Sequence, residues 1–141
     1  MRHPLSFYAM KDIQFMIKDW ALLDGKPVKV DETNIHEDLQ PIPLTSKTLL
    51  YSEFRIVYKD DEDVENPDFD YALLYAPLDN KPLANGKLPH LLLRMELDEK
   101  TGEKTIHHWV CGLDVTFNYV HQLQHAIRLM GYDYHFRIWQ E

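Results

Sequence analysis

The stretch from Thr105 to Trp139 constrains the fold more than any other part of this chain. A strand-like run from Thr105 to Leu113 is followed by a helix-like run from Val115 to Met130, then by Gly131, and then by a second strand-like run from Tyr132 to Trp139. Glycine often ends a helix because it adopts the left-handed backbone conformation without strain. A strand, a helix and a strand in this order predict a βαβ unit, whose crossover would be right-handed if its strands are parallel.

Side-chain periodicity predicts the earlier elements. Apolar residues from Ser6 to Leu23 recur every three or four positions, which is typical of an amphipathic helix. Leu50 to Lys59 alternates as a strand does, although its apolar spacing also fits a helix. Tyr71 to Ala76 is apolar on both faces, as an interior strand would be, and His90 to Asp98 gives the clearest alternation. A short strand near Val28 to Val30 completes the set.

The strand from His90 to Asp98 is predicted to form a hairpin with the strand that follows it. Residues Lys100 to Gly102 would form the loop, with Gly102 in the left-handed position. This register places Trp109 and Cys111 beside the leucines of the first strand, facing the core. The predicted cross-strand partners are Asp98 with Lys104, Glu96 with Ile106, Arg94 with His108, Leu92 with Val110, Leu93 with Trp109, and Leu91 with Cys111.

Together these elements predict a single α+β domain with two layers. Its sheet would be mainly antiparallel with about five strands. Two helices would pack on one face of that sheet, and the βαβ unit would lie at its C-terminal end. A chain of 141 residues is long enough to bury one core without disulfides or a structural metal.

The net charge of −8 is concentrated in one short run. Seven of the 23 acidic residues lie between Asp60 and Asp70, which leaves 16 acids against 15 bases in the rest of the chain. No basic stripe is present, so the sequence does not favour nucleic-acid binding. The run lacks the glycine and the ligand spacing of an EF-hand loop, so the sequence favours a solvated loop over a calcium site. A loop that faces a basic partner is the alternative.

The cysteine content and the N-terminal sequence bear on the compartment. Cys111 is the only cysteine, so no internal disulfide can form, which indicates a reducing environment. Lys11, Asp12 and Lys18 interrupt the apolar run that a signal peptide would need. No run approaches the length of a membrane span. We therefore expect a soluble cytoplasmic protein with no membrane or nucleic-acid partner.

Two histidines have a spacing that is found in zinc sites. His121 and His125 stand at positions i and i+4, where two imidazoles on a helix can share a metal ion. Steps of 100° place both opposite the apolar stripe of their helix, pointing away from the sheet. His107 is predicted to face the core and His108 the other sheet face, so no third ligand joins the pair. We predict no metal site and keep His121 and His125 as candidate ligands for an alternative function.

Catalytic nucleophiles are not indicated either. Cys111 with His107 or His108 would resemble a thiol dyad, but a cysteine that faces leucines is more often inert, because burial suppresses the thiolate. No GxSxG motif is present, and 23 acidic residues do not single out a carboxylate pair. We predict no catalytic residue and no cofactor.

The predicted sheet face without helices is the candidate binding face. Exposed tryptophan and arginine among apolar residues are typical of an interface centre. The residues predicted to bind are Arg94, Glu96, His108, Val110, His135, Arg137 and Trp139, and Ile106 is predicted to lie on the same face. The alternative is that the acidic run or the segment from Lys26 to Ser46 covers this face.

The sequence therefore predicts a small acidic interaction protein, inhibitor-like or adaptor-like, that binds a protein partner or forms a homo-oligomer. A metal-dependent hydrolase or nuclease that uses His121 and His125 is one alternative. A small-ligand-binding domain, with its pocket under the loop from Pro77 to Pro89, is another.

Overall fold

The computed structural model describes residues 14–59, 71–110 and 112–138. The acidic run, Cys111 and Trp139 lie outside the described residues. The elements, in chain order, are β1 (Trp20–Leu23), β2 (Lys26–Lys29), α1 (Ser46–Tyr51), β3 (Arg55–Lys59), β4 (Tyr71–Pro77), β5 (His90–Leu97), β6 (Lys104–Val110), β7 (Leu113–Phe117) and α2 (Val120–Leu129).

Strands β3 to β7 form an antiparallel sheet in which each strand pairs with the next one along the chain. The predicted α+β class and the mainly antiparallel sheet are confirmed. Strand β4 is interior, as predicted, and its residues Ala72, Leu74 and Ala76 have no exposed surface. Within the described part of the chain, neither helix is long and apolar enough to cross a membrane.

The predicted hairpin of β5 and β6 is present, but its predicted register is wrong by one residue. Arg94 pairs with His107, not with His108. The loop spans residues 99–102, because the Asp98 carboxylate accepts a hydrogen bond from the backbone N–H of Lys100 at 2.9 Å and Gly102 adopts φ +74°. A shift of one residue exchanges the two faces of a strand. Ile106 therefore points into the core, and His107 points away from it.

The predicted helix from Ser6 to Leu23 is wrong where the structure describes it. Residues 14–19 contain no helix, and the last four residues of the prediction form β1. Asp24 and Gly25 have φ values of +53° and +78° and connect β1 to β2, as Asp-Gly does in a two-residue hairpin turn. The sequence signal for this turn is the Asp-Gly pair, which outweighs the helical spacing before it. The short strand predicted near Val28 to Val30 is present, but it spans Lys26–Lys29 as β2.

The predicted strand from Leu50 to Lys59 is correct only in its second half. Residues 46–51 form α1, whose first turn is capped by the Thr45 hydroxyl, 3.2 Å from the backbone nitrogen of Thr48. Glu53 adopts φ +72° and separates this helix from β3.

The predicted βαβ unit is wrong, because α2 begins at Val120 and residues 113–117 return along β6 as β7. Gly112, at φ +79°, lies in the turn between them. In the described residues no strand follows α2. The predicted inward alternation after the helix is nevertheless confirmed: Phe136 is buried, and three partly buried residues pack on the same core, namely Tyr132, Tyr134 and Ile138.

One core joins both helices to the sheet. Leu49 of α1, together with Leu123 and Ile127 of α2, packs with inward residues of the strands such as Leu74 and Leu93. The β1–β2 hairpin has its own small cluster, which contains Ala21, Val30 and Leu39. Residues 18–20 contact α2, so this hairpin extends the protein beyond the predicted two layers.

Candidate functional site

One face of the main sheet carries a row of side chains that crosses all five strands. Backbone pairing joins Tyr58 to Leu73, Leu73 to Arg94, Arg94 to His107, and His107 to Thr116. Side chains alternate between the two faces of a sheet, and in β4 and β5 the neighbours of these residues point into the core. We call the surface that contains this row the outer face.

An arginine on the outer face holds two carboxylates. Nε of Arg94 lies 2.7 Å from Oε1 of Glu96, and its Nη2 lies 3.0 Å from Oδ1 of Asp114. The arginine side chain is 13% exposed, whereas both acidic side chains are 40% exposed. The guanidinium therefore lies against the sheet and presents the carboxylates to solvent. The network connects β5 to β7 across the intervening strand β6.

His107 occupies the space between those carboxylates. Its Nε2 lies 2.6 Å from Oγ1 of Thr105 and 3.8 Å from Oε2 of Glu96. Its Nδ1 lies 3.1 Å from Oγ1 of Thr116 and 3.3 Å from Oδ1 of Asp114. Each ring nitrogen thus faces one hydroxyl and one carboxylate, which fixes the orientation of the imidazole.

A hydroxyl, an imidazole and a carboxylate in this order also occur in hydrolases. Here the carboxylate of Asp114 is bound by Arg94, and strand pairing engages the backbone around Arg94 and His107. An oxyanion hole requires N–H groups that point at the substrate, and a regular strand pair directs its own toward the neighbouring strand. The geometry therefore favours a fixed charged surface over a nucleophilic site.

The other half of the outer face is aromatic and apolar. Cζ of Arg55 lies 5.2 Å from the ring centroid of Tyr75, within the range of a cation–π contact, and the His90 ring lies 5.3 Å from the same centroid. Leu92 pairs with Tyr75 across the strands and is 40% exposed. This half adjoins the charge network through β5.

The structure brings together only some of the predicted binding-face residues. Arg94 and Glu96 lie on the outer face. His108 lies on the opposite side of β6 and directs its Nδ1 to the carbonyl oxygen of Leu92, 3.1 Å away. Val110 pairs with Leu113 through its backbone.

The remaining predicted residues belong to the C-terminal segment, which packs on the core and not on the outer face. His135 and Arg137 are exposed there, and Trp139 lies outside the described residues. Arg137 is held through its backbone, because the Ser52 hydroxyl donates to its carbonyl at 2.9 Å and accepts from its N–H at 2.8 Å.

Sequence reasoning missed residues of the outer face because it assigned β6 the wrong register. The signal that would have placed His107 there is Ile106, the only aliphatic residue in the range 104–108. A buried Ile106 requires its neighbours Thr105 and His107 to point outward. Asp114 and Thr116 were missed for a different reason. The helix was predicted to begin at Val115, so Thr116 lay within it and Asp114 directly before it, whereas residues 113–117 form β7.

His121 and His125 were predicted to lie on a polar face of their helix, pointing away from the sheet, but this side of α2 is covered and does not form an open polar face. His121 has no exposed surface, and Gln124 is 6% exposed. The N-terminal segment covers this side of α2: the Phe15 ring lies 4.6 Å from the His121 ring, and the Gln124 side chain accepts a hydrogen bond from the backbone N–H of Trp20 at 2.9 Å. The helical periodicity predicted the apolar stripe of α2 correctly. It does not show that a second segment also packs on the polar side of the helix.

His125 belongs to a cluster of side chains around the buried carboxylate of Asp19. Its Nε2 lies 2.6 Å from Oδ2 of Asp19, and Nη1 of Arg128 lies 2.6 Å from the other oxygen of the same carboxylate. The backbone N–H of Met16 also donates to Asp19, at 2.7 Å. Both oxygens of the carboxylate are thus engaged. Among the residues that the structure describes, no three His, Cys, Asp or Glu side chains converge as metal ligands would.

No protein-family model, curated protein or solved structure matches this chain.

Proposed function

We propose that this chain is an interaction protein that binds a protein partner through its outer face. The observation that carries the proposal is the arrangement of that face, in which an aromatic and apolar half around Tyr75 and Leu92 adjoins an ordered charge network around Arg94. Protein interfaces combine an apolar centre, rich in tyrosine and arginine, with a polar surround.

The side chains of this face are held in place before any partner binds. Tyr75 is flanked by Arg55 and His90, and Arg94 is fixed by two carboxylates. Association restricts fewer side-chain rotations when the contact residues are already ordered, which favours affinity.

Charge on the outer face suggests the chemistry of the partner. Glu96 and Asp114 present two carboxylates, each 40% exposed, against the single guanidinium of Arg94. A partner with basic groups beside an apolar patch would complement both halves. Such complementarity raises the association rate, and high salt lowers that rate.

The test compares two leucine substitutions. Leu92→Lys places a charge on the outer face, and Leu129→Lys places the same charge at the end of α2, where the leucine is 89% exposed. A partner is first captured from the native host with the wild-type protein and identified. Its affinity for both variants and for wild type is then measured by calorimetry.

We expect Leu92→Lys to weaken binding by about tenfold or more and Leu129→Lys to leave it unchanged. The partner could also be a second copy of the chain, and sedimentation of the wild-type protein alone tests this case by measuring its oligomeric state. If the protein is an oligomer, we expect Leu92→Lys to dissociate it. Equal behaviour of the two variants in both measurements contradicts the proposal.

A further inference from the structure

A pocket of about 200 Å³ lies between the N-terminal segment, α2 and the C-terminal segment. Lys18, Trp20 and Lys29 line one side, and residues 133–136 line the other. This location is distinct from the outer face and from the loop that follows β4. The volume is below that of a typical drug-sized site and suits a ligand of few atoms.

Hydrogen bonds fix the first wall of the pocket. Lys18 adopts φ +78°, a left-handed conformation that costs free energy in a lysine. It is held there because its N–H donates to the carbonyl of Val30 at 2.8 Å and its own carbonyl accepts from Nε2 of Gln124 at 3.3 Å. The same buried amide accepts from the backbone N–H of Trp20 at 2.9 Å. One side chain of α2 thus positions two lining residues.

The second wall is tied to the first. Nε1 of Trp20 donates to the carbonyl oxygen of Phe136 at 3.0 Å. The hydroxyl of Tyr134 donates to the carbonyl oxygen of Ser52 at 2.6 Å, which anchors the C-terminal segment on its far side. The two walls therefore keep their separation, and the pocket is formed before any ligand enters it.

The charges around the pocket favour an anion. Nζ of Lys29 lies 5.6 Å from the centroid of the Trp20 ring, so its ammonium group stands over an aromatic wall. Neither Lys18 nor Lys29 forms an ion pair with a carboxylate of the described residues. Among the described residues that line the pocket, Asp133 is the one with an acidic side chain. The pocket is therefore lined by two ammonium-bearing side chains and one carboxylate.

We propose that this pocket binds a small planar organic carboxylate. The carboxylate would accept hydrogen bonds from the ammonium groups of Lys18 and Lys29, and the planar part would lie against the indole of Trp20. Charge-assisted hydrogen bonds are roughly twice as strong as neutral ones, and an aromatic ring adds apolar contact area. This site is independent of the partner-binding function, since it uses none of the same residues.

The experiment titrates the 141-residue protein with benzoate and, separately, with inorganic phosphate at matched ionic strength. Binding is followed by calorimetry and by the fluorescence of Trp20, which is assigned by comparison with Trp20→Phe. The variant Lys18→Gln/Lys29→Gln removes both ammonium groups. Lys26→Gln is the matched control, because Lys26 is exposed in the same hairpin but does not line the pocket.

We expect saturable benzoate binding that is weakened by about tenfold in Lys18→Gln/Lys29→Gln and unchanged in Lys26→Gln. Phosphate should bind more weakly than benzoate, because it has no planar face for the indole. The proposal is overturned if benzoate does not saturate, if the double variant binds it as tightly as wild type, or if phosphate binds at least as tightly. Circular dichroism of each variant confirms that a lost signal is not a loss of folding.

Discussion

Nε2 of His125 lies 2.6 Å from Oδ2 of Asp19, a side chain with no exposed surface. The two residues are 106 positions apart, and their contact joins the segment before β1 to the helix α2. Arg128, one turn further along the helix, binds the second oxygen of the carboxylate at 2.6 Å. A single buried aspartate therefore fastens the N-terminal segment to α2.

Replacing Asp19 with asparagine is expected to destabilise the protein by about 3 kcal/mol, because it leaves Arg128 without its charged partner in a largely buried position. Urea unfolding measures the change as a lower midpoint at constant slope. The matched control is Asp24→Asn in the exposed hairpin turn, where asparagine tolerates the φ of +53°. A loss that is equal in both variants would show that the buried cluster does not hold the N-terminal segment.

The network on the outer face is expected to couple β5 to β7. In a double-mutant cycle, the effects of Arg94→Met and Asp114→Asn on the free energy of unfolding should be non-additive by about 0.5–1 kcal/mol. The coupling is small because the aspartate is 40% exposed and partly screened by solvent. High salt should reduce the coupling further. The remote pair Arg94→Met and Asp79→Asn should be additive. Additivity of Arg94 with Asp114 at low salt would mean that their 3.0 Å contact does not stabilise the sheet.

Tyr134 is expected to make stability fall at high pH. Burial, and to a smaller extent the charge of Glu53, raises the pKa of the Tyr134 hydroxyl from 10.0 to about 12. Because the folded state favours the protonated phenol, the contribution is fully present below pH 10.0 and is lost as the pH rises toward about 12.

The free energy of unfolding is measured between those two pH values for wild type, Tyr134→Phe and Tyr58→Phe. Tyr58→Phe is the control, because Tyr58 is 55% exposed. Wild type and Tyr58→Phe should lose stability more steeply than Tyr134→Phe. Identical slopes for all three proteins would assign the alkaline loss to other groups.

Ser52 is expected to anchor the C-terminal segment. Its hydroxyl makes two hydrogen bonds to the backbone of Arg137, so Ser52→Ala should cost about 1–2 kcal/mol and leave that backbone N–H without its partner. Hydrogen exchange at the Arg137 amide should accelerate much more than at the interior strand β4. Ser46→Ala, in the first turn of α1, leaves the Arg137 contacts in place and is the control. Unchanged exchange at Arg137 would contradict the anchoring role.

The sequence by itself determined those features that depend on neighbours along the chain. Burial repeats every two residues in a strand and about every 3.6 residues in a helix, so it is visible as periodicity in the sequence. The features predicted in this way are the two apolar faces of β4, the alternation in β5 and after α2, and the apolar stripe of α2. The Asp24-Gly25 pair also indicated a turn, but the helical spacing of the apolar residues before it favoured a helix instead.

Only the tertiary structure decided which faces meet. Periodicity shows which side of a helix or strand is apolar, but it does not show which other segment packs there. It therefore could not show that the N-terminal segment buries His121 or that Asp19 binds His125. The register of β6 depends on one residue of loop length, and that residue determines whether His107 or His108 joins Arg94. The outer face and the pocket lined by Lys18 and Lys29 both arise from such contacts between distant parts of the chain.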